Sequence, residues 1–259
     1  MIRERFCFAL VTMALVFSVP AFAQPASNQP PLLLRNPSLS QDHIAFLYAD
    51  DVWTVSRQGG EAERLTSDGQ VQAGPFYSPD GTEIAYSAHL QGNTDVYVIP
   101  AAGGIPRRIT WHPAGSLVVG WSPDGKNVLI ASGALSYRDF VKLFVVHADG
   151  SGIPEPLPLP SGVQASYSPD GRSIAYEPID KWEQAWKKYV GGQTTPIWIV
   201  DLKTLDLVKV PRNNSNDSNP VWSVTPSISS AIAMGRRRCM SMTSGATRFT
   251  RSSTTTGKI

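Results

Sequence analysis

Three serines of this chain recur in one setting: Tyr77-Ser78-Pro79-Asp80-Gly81, Trp121-Ser122-Pro123-Asp124-Gly125 and Tyr167-Ser168-Pro169-Asp170-Gly171. A hydroxyl close to a carboxylate is raw material for acyl transfer, but a serine becomes nucleophilic only when a base within hydrogen-bond reach takes its proton. The four histidines, His43, His89, His112 and His147, fall in different segments, and none stands beside a serine or cysteine in a nucleophile motif. His112, in Trp111-His112-Pro113, reads as a loop residue that satisfies a turn. A catalytic nucleophile would not be written three times, so the serines read as parts of a turn and no catalytic residue is assigned. No cysteine lies between residues 24 and 223, which removes disulfides and thiolate metal sites there. No paired His/carboxylate spacing indicates a metal, and Gly59-Gly60 and Gly103-Gly104 read as hairpin turns rather than a phosphate loop. No metal or cofactor site is assigned either.

The elements that hold these residues follow from turn chemistry. Proline presets φ for the first turn position, Asp can bond the backbone two residues on, and Gly takes the positive φ. Each turn leads into a β-prone run: Ile84-Ala85-Tyr86, Val128-Leu129-Ile130 and Ile174-Ala175-Tyr176. That is a strand, a turn and a strand, hence a hairpin. The serines lie 44 and 46 residues apart, and a degenerate copy, Pro37-Ser38-Leu39-Ser40-Gln41-Asp42-His43, precedes the first by about forty. A period in the forties accommodates about four strands per unit, the arithmetic of a propeller blade. Third strands are expected at 51–55, 95–99 and 143–146, and outer strands at 62–66 and 106–110. A β-sandwich with recurrent turns is the competing fold, but sandwiches do not repeat a tetrapeptide at blade spacing. The expected fold is all-β: a β-propeller of four-stranded antiparallel blades, an incomplete ring of about four to five blades over residues 32–223.

At the start, Arg3 and Arg5 precede an apolar run from Phe6 to Val19, then Pro20 and Ala21-Phe22-Ala23. This reads as a secretory signal peptide over 1–23, cleaved after Ala23, whose apolar core is short for a membrane span. A retained anchor is the alternative. Residues 24–31 read as a mobile, polar lead-in. The expected location is therefore periplasmic or secreted, with no membrane span after cleavage. Residues 24–223 carry 15 Lys+Arg against 20 Asp+Glu, whereas the last 36 residues hold six basic residues and no acidic one. The formal charge of +2 thus comes from the ends, and a nucleic-acid partner is not expected.

The repeat is interrupted between Tyr176 and Ile197, where Trp182, Trp186 and Tyr189 share one face if the segment is helical. That face is read as a domain-contact flap, with a ligand-stacking platform as the alternative. Together with Asp51-Val52-Trp53-Thr54-Val55, Gly59-Gly60-Glu61-Ala62-Glu63-Arg64-Leu65-Thr66 and Gly92-Asn93-Thr94-Asp95-Val96-Tyr97-Val98-Ile99-Pro100, the segment from Trp186-Lys187-Lys188-Tyr189 to Ile199 resembles the amino-terminal propeller of tricorn-type proteases. The Ser-Pro-Asp-Gly repeats alone are shared with TolB-like propellers. The resemblance implies a six-bladed ring followed by a second propeller, a PDZ-like domain and a serine-protease core acting on peptides. It implies peptides or downstream protease domains as partners, and homo-oligomers. No family active-site residue maps onto this chain.

Asn219-Pro220-Val221-Trp222-Ser223 resembles the start of another hairpin, yet residues 224–259 contain 14 Ser+Thr and no Asp or Glu. This stretch reads as a disordered tail and as an out-of-frame translation. Read one nucleotide earlier, codons allowed for it can spell GDTVYFLSDRDG and onward, which is blade grammar. The expected product is an exported propeller fragment of a tricorn-type protease, lacking the catalytic domains. The alternatives are a TolB-like, non-catalytic periplasmic protein-binding module and the propeller cap of a prolyl-oligopeptidase-like hydrolase.

Overall fold

In the computed structural model, residues 33–136, 140–180, 194–211, 216–225, 228–235, 238–242 and 249–251 are described, with side chains through Trp222. Residues 1–23, read as a signal peptide, residues 24–31, read as a lead-in, and the aromatic segment with Trp182, Trp186 and Tyr189 lie outside them. Among the described residues no helix is long and apolar enough to cross a membrane.

Every described element is a strand, and each sheet is a four-stranded antiparallel meander in chain order. The first holds β1 (Arg35–Leu39), β2 (His43–Tyr48), β3 (Asp51–Ser56) and β4 (Glu63–Arg64). The second holds β5 (Val71–Tyr77), β6 (Glu83–Leu90), β7 (Asn93–Pro100) and β8 (Arg107–Arg108). In the third are β9 (Ser116–Trp121), β10 (Asn127–Ser132), β11 (Lys142–His147) and β12 (Glu155–Pro156). The fourth consists of β13 (Gln164–Tyr167), β14 (Ser173–Glu177), β15 (Trp198–Asp201) and β16 (Leu207–Lys209). First strands of successive sheets pack on one another, β1 on β5, β5 on β9, β9 on β13, as blades do around a propeller axis. The ring is not closed.

Blade packing explains why the second strands read as continuous apolar runs rather than as alternation. Side chains alternate across a strand, and here both faces are buried. Ile84 and Tyr86 face the core shared with the first blade, while Ala85 between them faces the core shared with the third. Val128 and Ile130 point back to the second blade and Leu129 and Ala131 forward to the fourth. Ile174 and Tyr176 point back, Ala175 forward. Hydrogen bonds join the same neighbours: Tyr77 N–H donates to Ser38 Oγ at 3.1 Å, Val118 N–H to Ser87 Oγ at 2.7 Å, and Trp121 Nε1 to the Phe76 carbonyl at 2.9 Å.

Two expectations change. The outer strands of the first two blades pair over two residues each, not over 62–66 and 106–110. The backbone continues briefly, with Leu65 N–H to Val52 O at 2.8 Å, a longer Thr66 N–H to the same oxygen at 3.4 Å, and Ile109 N–H to Val96 O at 2.9 Å. The next threonine's hydroxyl then takes the strand's N–H, ending the ladder. Secondly, the stretch read as a strandless tail carries a fifth sheet: β17 (Val221–Thr225), β18 (Ile228–Gly235), β19 (Arg238–Met242) and β20 (Phe249–Arg251). β18 pairs antiparallel with β17, from Thr225 opposite Ile228 to Val221 opposite Ile232.

Candidate functional site

The antiparallel meander sorts the loops onto two ends of the blades. The Ser-Pro-Asp-Gly turns, between first and second strands, share one end with the turns between third and fourth strands. The turns between second and third strands share the other end with the blade-to-blade connectors.

At the Ser-Pro-Asp-Gly end the same bonds are made three times. Ser78, Ser122 and Ser168 are buried. Their hydroxyls donate to the carboxylates of Asp80, Asp124 and Asp170 at 2.6, 2.5 and 2.6 Å. The same oxygens accept the N–H groups of Glu83, Asn127 and Ser173 at 3.0, 3.0 and 2.9 Å. Each carboxylate accepts a further N–H, from Thr82, Lys126 or Arg172, at 3.1 Å. Glycines 81, 125 and 171 take φ values of 75°, 71° and 69°, and their N–H groups bond the serine carbonyls. The serine hydroxyl, and after it the backbone N–H, holds each Asp below the usual carboxylate range. A carboxylate so stabilised is a poor base, and a hydroxyl holding two bonds is not free to attack. Pro79 and Pro123 meanwhile touch the next blade's turn, 3.6 and 3.9 Å from where a Cβ on Gly125 and Gly171 would stand.

The histidines do not converge. His43 opens β2, with its N–H on Ser40 Oγ at 3.0 Å. His89 Nδ1 is 3.0 Å from Thr94 Oγ1, and His112 Nδ1 accepts Ala114 N–H at 3.1 Å, satisfying the turn as expected. His147 ends β11. Among the described residues no group of three His, Cys, Asp or Glu could hold a metal.

At the opposite end is a repeated arrangement that the sequence reading missed. Asp51, buried at the start of β3, accepts Arg64 Nη2 at 2.8 Å, Thr66 Oγ1 at 2.9 Å and Gly69 N–H at 3.1 Å. Asp95, fully buried in β7, accepts Arg108 Nη2 at 2.6 Å, Thr110 Oγ1 at 3.0 Å and Asn93 Nδ2 at 3.0 Å. Both threonine hydroxyls accept the N–H after the aspartate, at 2.9 Å. The signal was present as Asp followed thirteen residues later by Arg-x-Thr in two successive blades. These clasps tie third strand, outer strand and connector together, and their charges are paired.

Next to them opens a cleft of about 490 Å³ where the first strands of the second to fourth blades begin. Gln72, Leu117 and Gln164 come from those strands, His89 and Thr94 from the β6–β7 hairpin, and Phe140 and Asp180 from the loops after β10 and β14. Glu177, at the end of β14, is 5% exposed and accepts Asn219 N–H at 2.6 Å. Burial pushes its carboxyl up to about 7, against the opposing pull of the Asn219 N–H, and the Asp180 and Asp217 charges add to the rise.

Four-stranded meanders stacked through their first strands, with serine-capped turns at one end and a cleft at the other, define a β-propeller domain whose repeated polar residues are structural. The chain belongs to the tricorn protease N-terminal beta propeller domain family, whose model matches residues 31–228. Tricorn protease homolog 1 of Streptomyces coelicolor is 30% identical over 187 residues, covering 68% of this chain and 16% of its own length. The crystal structure of the tricorn protease superposes with a TM-score of 0.69 at 24% identity, over 88% of this chain and 23% of that one. TolB from Acinetobacter baumannii gives a TM-score of 0.58 at 16% identity, over 79% of this chain and 52% of its own. Both structural likenesses concern the fold. The chain spans less than a fifth of the curated homolog's length.

Proposed function

We propose that this chain is the amino-terminal propeller of an exported tricorn-type serine protease, a part that admits or filters peptides and braces the assembly while cleavage is performed elsewhere in the intact protein. The observation that carries this reading is the family match across residues 31–228. The locked serines support the division of labour, because each hydroxyl most suited by its surroundings to act as a nucleophile is committed to a hairpin. Protease domains, peptides and further copies of the chain are the partners that follow. A TolB-like binding module shares the fold, and the two readings part at the DNA beyond the Ser223 codon.

The test is direct. The purified chain is expected to release no fluorophore from a panel of peptide substrates and to take no label from a serine-directed fluorophosphonate. Turnover that copurifies with the chain and survives Ser78→Ala, Ser122→Ala and Ser168→Ala would overturn the reading. Amino-terminal sequencing of the fractionated protein is expected to begin at Gln24 outside the cytoplasm, and an intact Met1 in the cytosol would overturn export.

A further inference from the structure

The cleft at the connector end has a chemistry that the fold does not use. Leu117 is 45% exposed and Phe140 is 55% exposed, so two apolar side chains stand open on its walls. The side-chain amides of Gln72 and Gln164 make no hydrogen bond within the described structure. His89 spends Nδ1 on the Thr94 hydroxyl, which leaves Nε2 without a partner among the described residues. Among the described residues no Lys or Arg lines the cleft, and Asp180 is the acidic one there.

Each of these facts narrows the ligand. An anion such as a phosphate or nucleotide needs cationic donors, and the described lining residues offer it none. Unpaired amides on two first strands offer donors and acceptors together, which is what a peptide's alternating N–H and C=O groups require. A hydrogen-bonding site gains most from a ligand that pairs its polar groups and fills its apolar ones. An aliphatic Leu117 in the same cleft as Phe140 suits an apolar side chain better than a sugar, whose rings stack on flat aromatic platforms.

We propose that the cleft between Gln72, Leu117, Phe140 and Gln164 binds an extended, uncharged peptide segment and takes one of its apolar side chains between Leu117 and Phe140. The proposal rests on the protease-propeller reading and makes it specific: peptides meeting this face are sorted by an apolar residue, not by charge. Val118 and Val163 also line the cleft, and the amides hold the backbone on either side. The volume of about 490 Å³ lies within the range of small-ligand clefts.

The test uses the full chain and blocked pentapeptides, acetyl-Ala-Ala-X-Ala-Ala-amide, with X as Leu, Phe, Ala, Asp or Lys, titrated by calorimetry. Leu and Phe are expected to bind roughly tenfold or more tighter than Ala, and Asp and Lys no better than Ala. Leu117→Ser is expected to remove the preference for Leu and Phe, and Gln164→Ala to weaken all peptides alike. Phe140→Ser, on a loop, repeats the test if Leu117→Ser perturbs folding, as read by its thermal transition. Binding that ignores X, a Leu117→Ser and Phe140→Ser pair that binds as the parent does, or a neutral oligosaccharide that binds in place of the peptides would overturn the proposal. Failure here leaves the protease-family reading standing, whereas cleavage of a peptide by this chain would overturn that reading and leave the cleft in place.

Discussion

Glu177 carries the clearest pH dependence in the described molecule. Its carboxyl, pushed up to about 7 from an ordinary 4.5 chiefly by burial, prefers the neutral form when folded, so the folded state binds the proton that the unfolded state has released. Stability from this group is therefore complete below about 4.5, falls as pH rises, and is lost above about 7. At 1.36 kcal/mol per pKa unit the loss is on the order of 3 kcal/mol. Glu177→Gln keeps an oxygen for Asn219 N–H and removes the charge. The variant is expected to unfold at the same temperature as the parent near pH 4.5 and several degrees higher at pH 8. A parent-minus-variant difference that does not change with pH would refute this account. The serine caps belong to the same scale, and here sequence and structure agree on which residues matter. Pro, Asp and Gly act on their own turn, so their roles can be read locally. The pair of hydrogen bonds by which the hydroxyl donates to the carboxylate and accepts the strand N–H could not be, since it depends on the rotamer that burial selects.

At the scale of elements, the clasps decide where the outer strands end. Arg108 is 26% exposed at its side chain and Asp95 is buried completely, whereas Arg64 is 44% exposed against 4% for Asp51. Removing one partner of a buried pair leaves the other uncompensated, a loss of about 3–5 kcal/mol when both are buried, and solvent screening lowers it for an exposed arginine. Asp95→Ala is expected to cost about 3 kcal/mol in urea unfolding and Asp51→Ala measurably less. Amides of β7 should exchange fastest in the Asp95 variant. Equal losses at the two sites would show that burial does not grade the clasps. The second strands were readable because a run such as Val128-Leu129-Ile130 is β-prone on any reading. The clasps were not, because Asp95 and Arg108 meet only after β7 and β8 have paired.

For the whole molecule, the stretch after Ser223 separates the readings. Trp121 gives its indole N–H to Phe76, but Trp222, one strand position short of Ser223 in the fifth sheet, buries Nε1 with no acceptor. Buried polar groups left unpaired are uncommon in native blades. If residues 224–259 are an out-of-frame translation, the nucleotides from the Ser223 codon onward, read one base earlier, should open with a sequence close to GDTVYFLSDRDG. That frame should continue without a stop for several hundred codons, as resequencing of the gene will show. A stop within a few dozen codons would favour the stand-alone binding module.

What the sequence determined by itself was whatever acts within a few residues or repeats along the chain. The Ser-Pro-Asp-Gly turns set each hairpin, their period set the blade, and the apolar second strands set a fold with two buried faces per sheet. Tertiary structure alone decided what stands between blades. Ile84 and Ala85 are neighbours in the chain but belong to different cores, because alternation sends them to opposite faces of one sheet. Gln72, Leu117 and Gln164 are far apart in sequence and share a cleft, because successive first strands gather around one axis. Nothing in the local chemistry of those three residues marks them, since their meaning comes from the angle at which one blade stacks on the next.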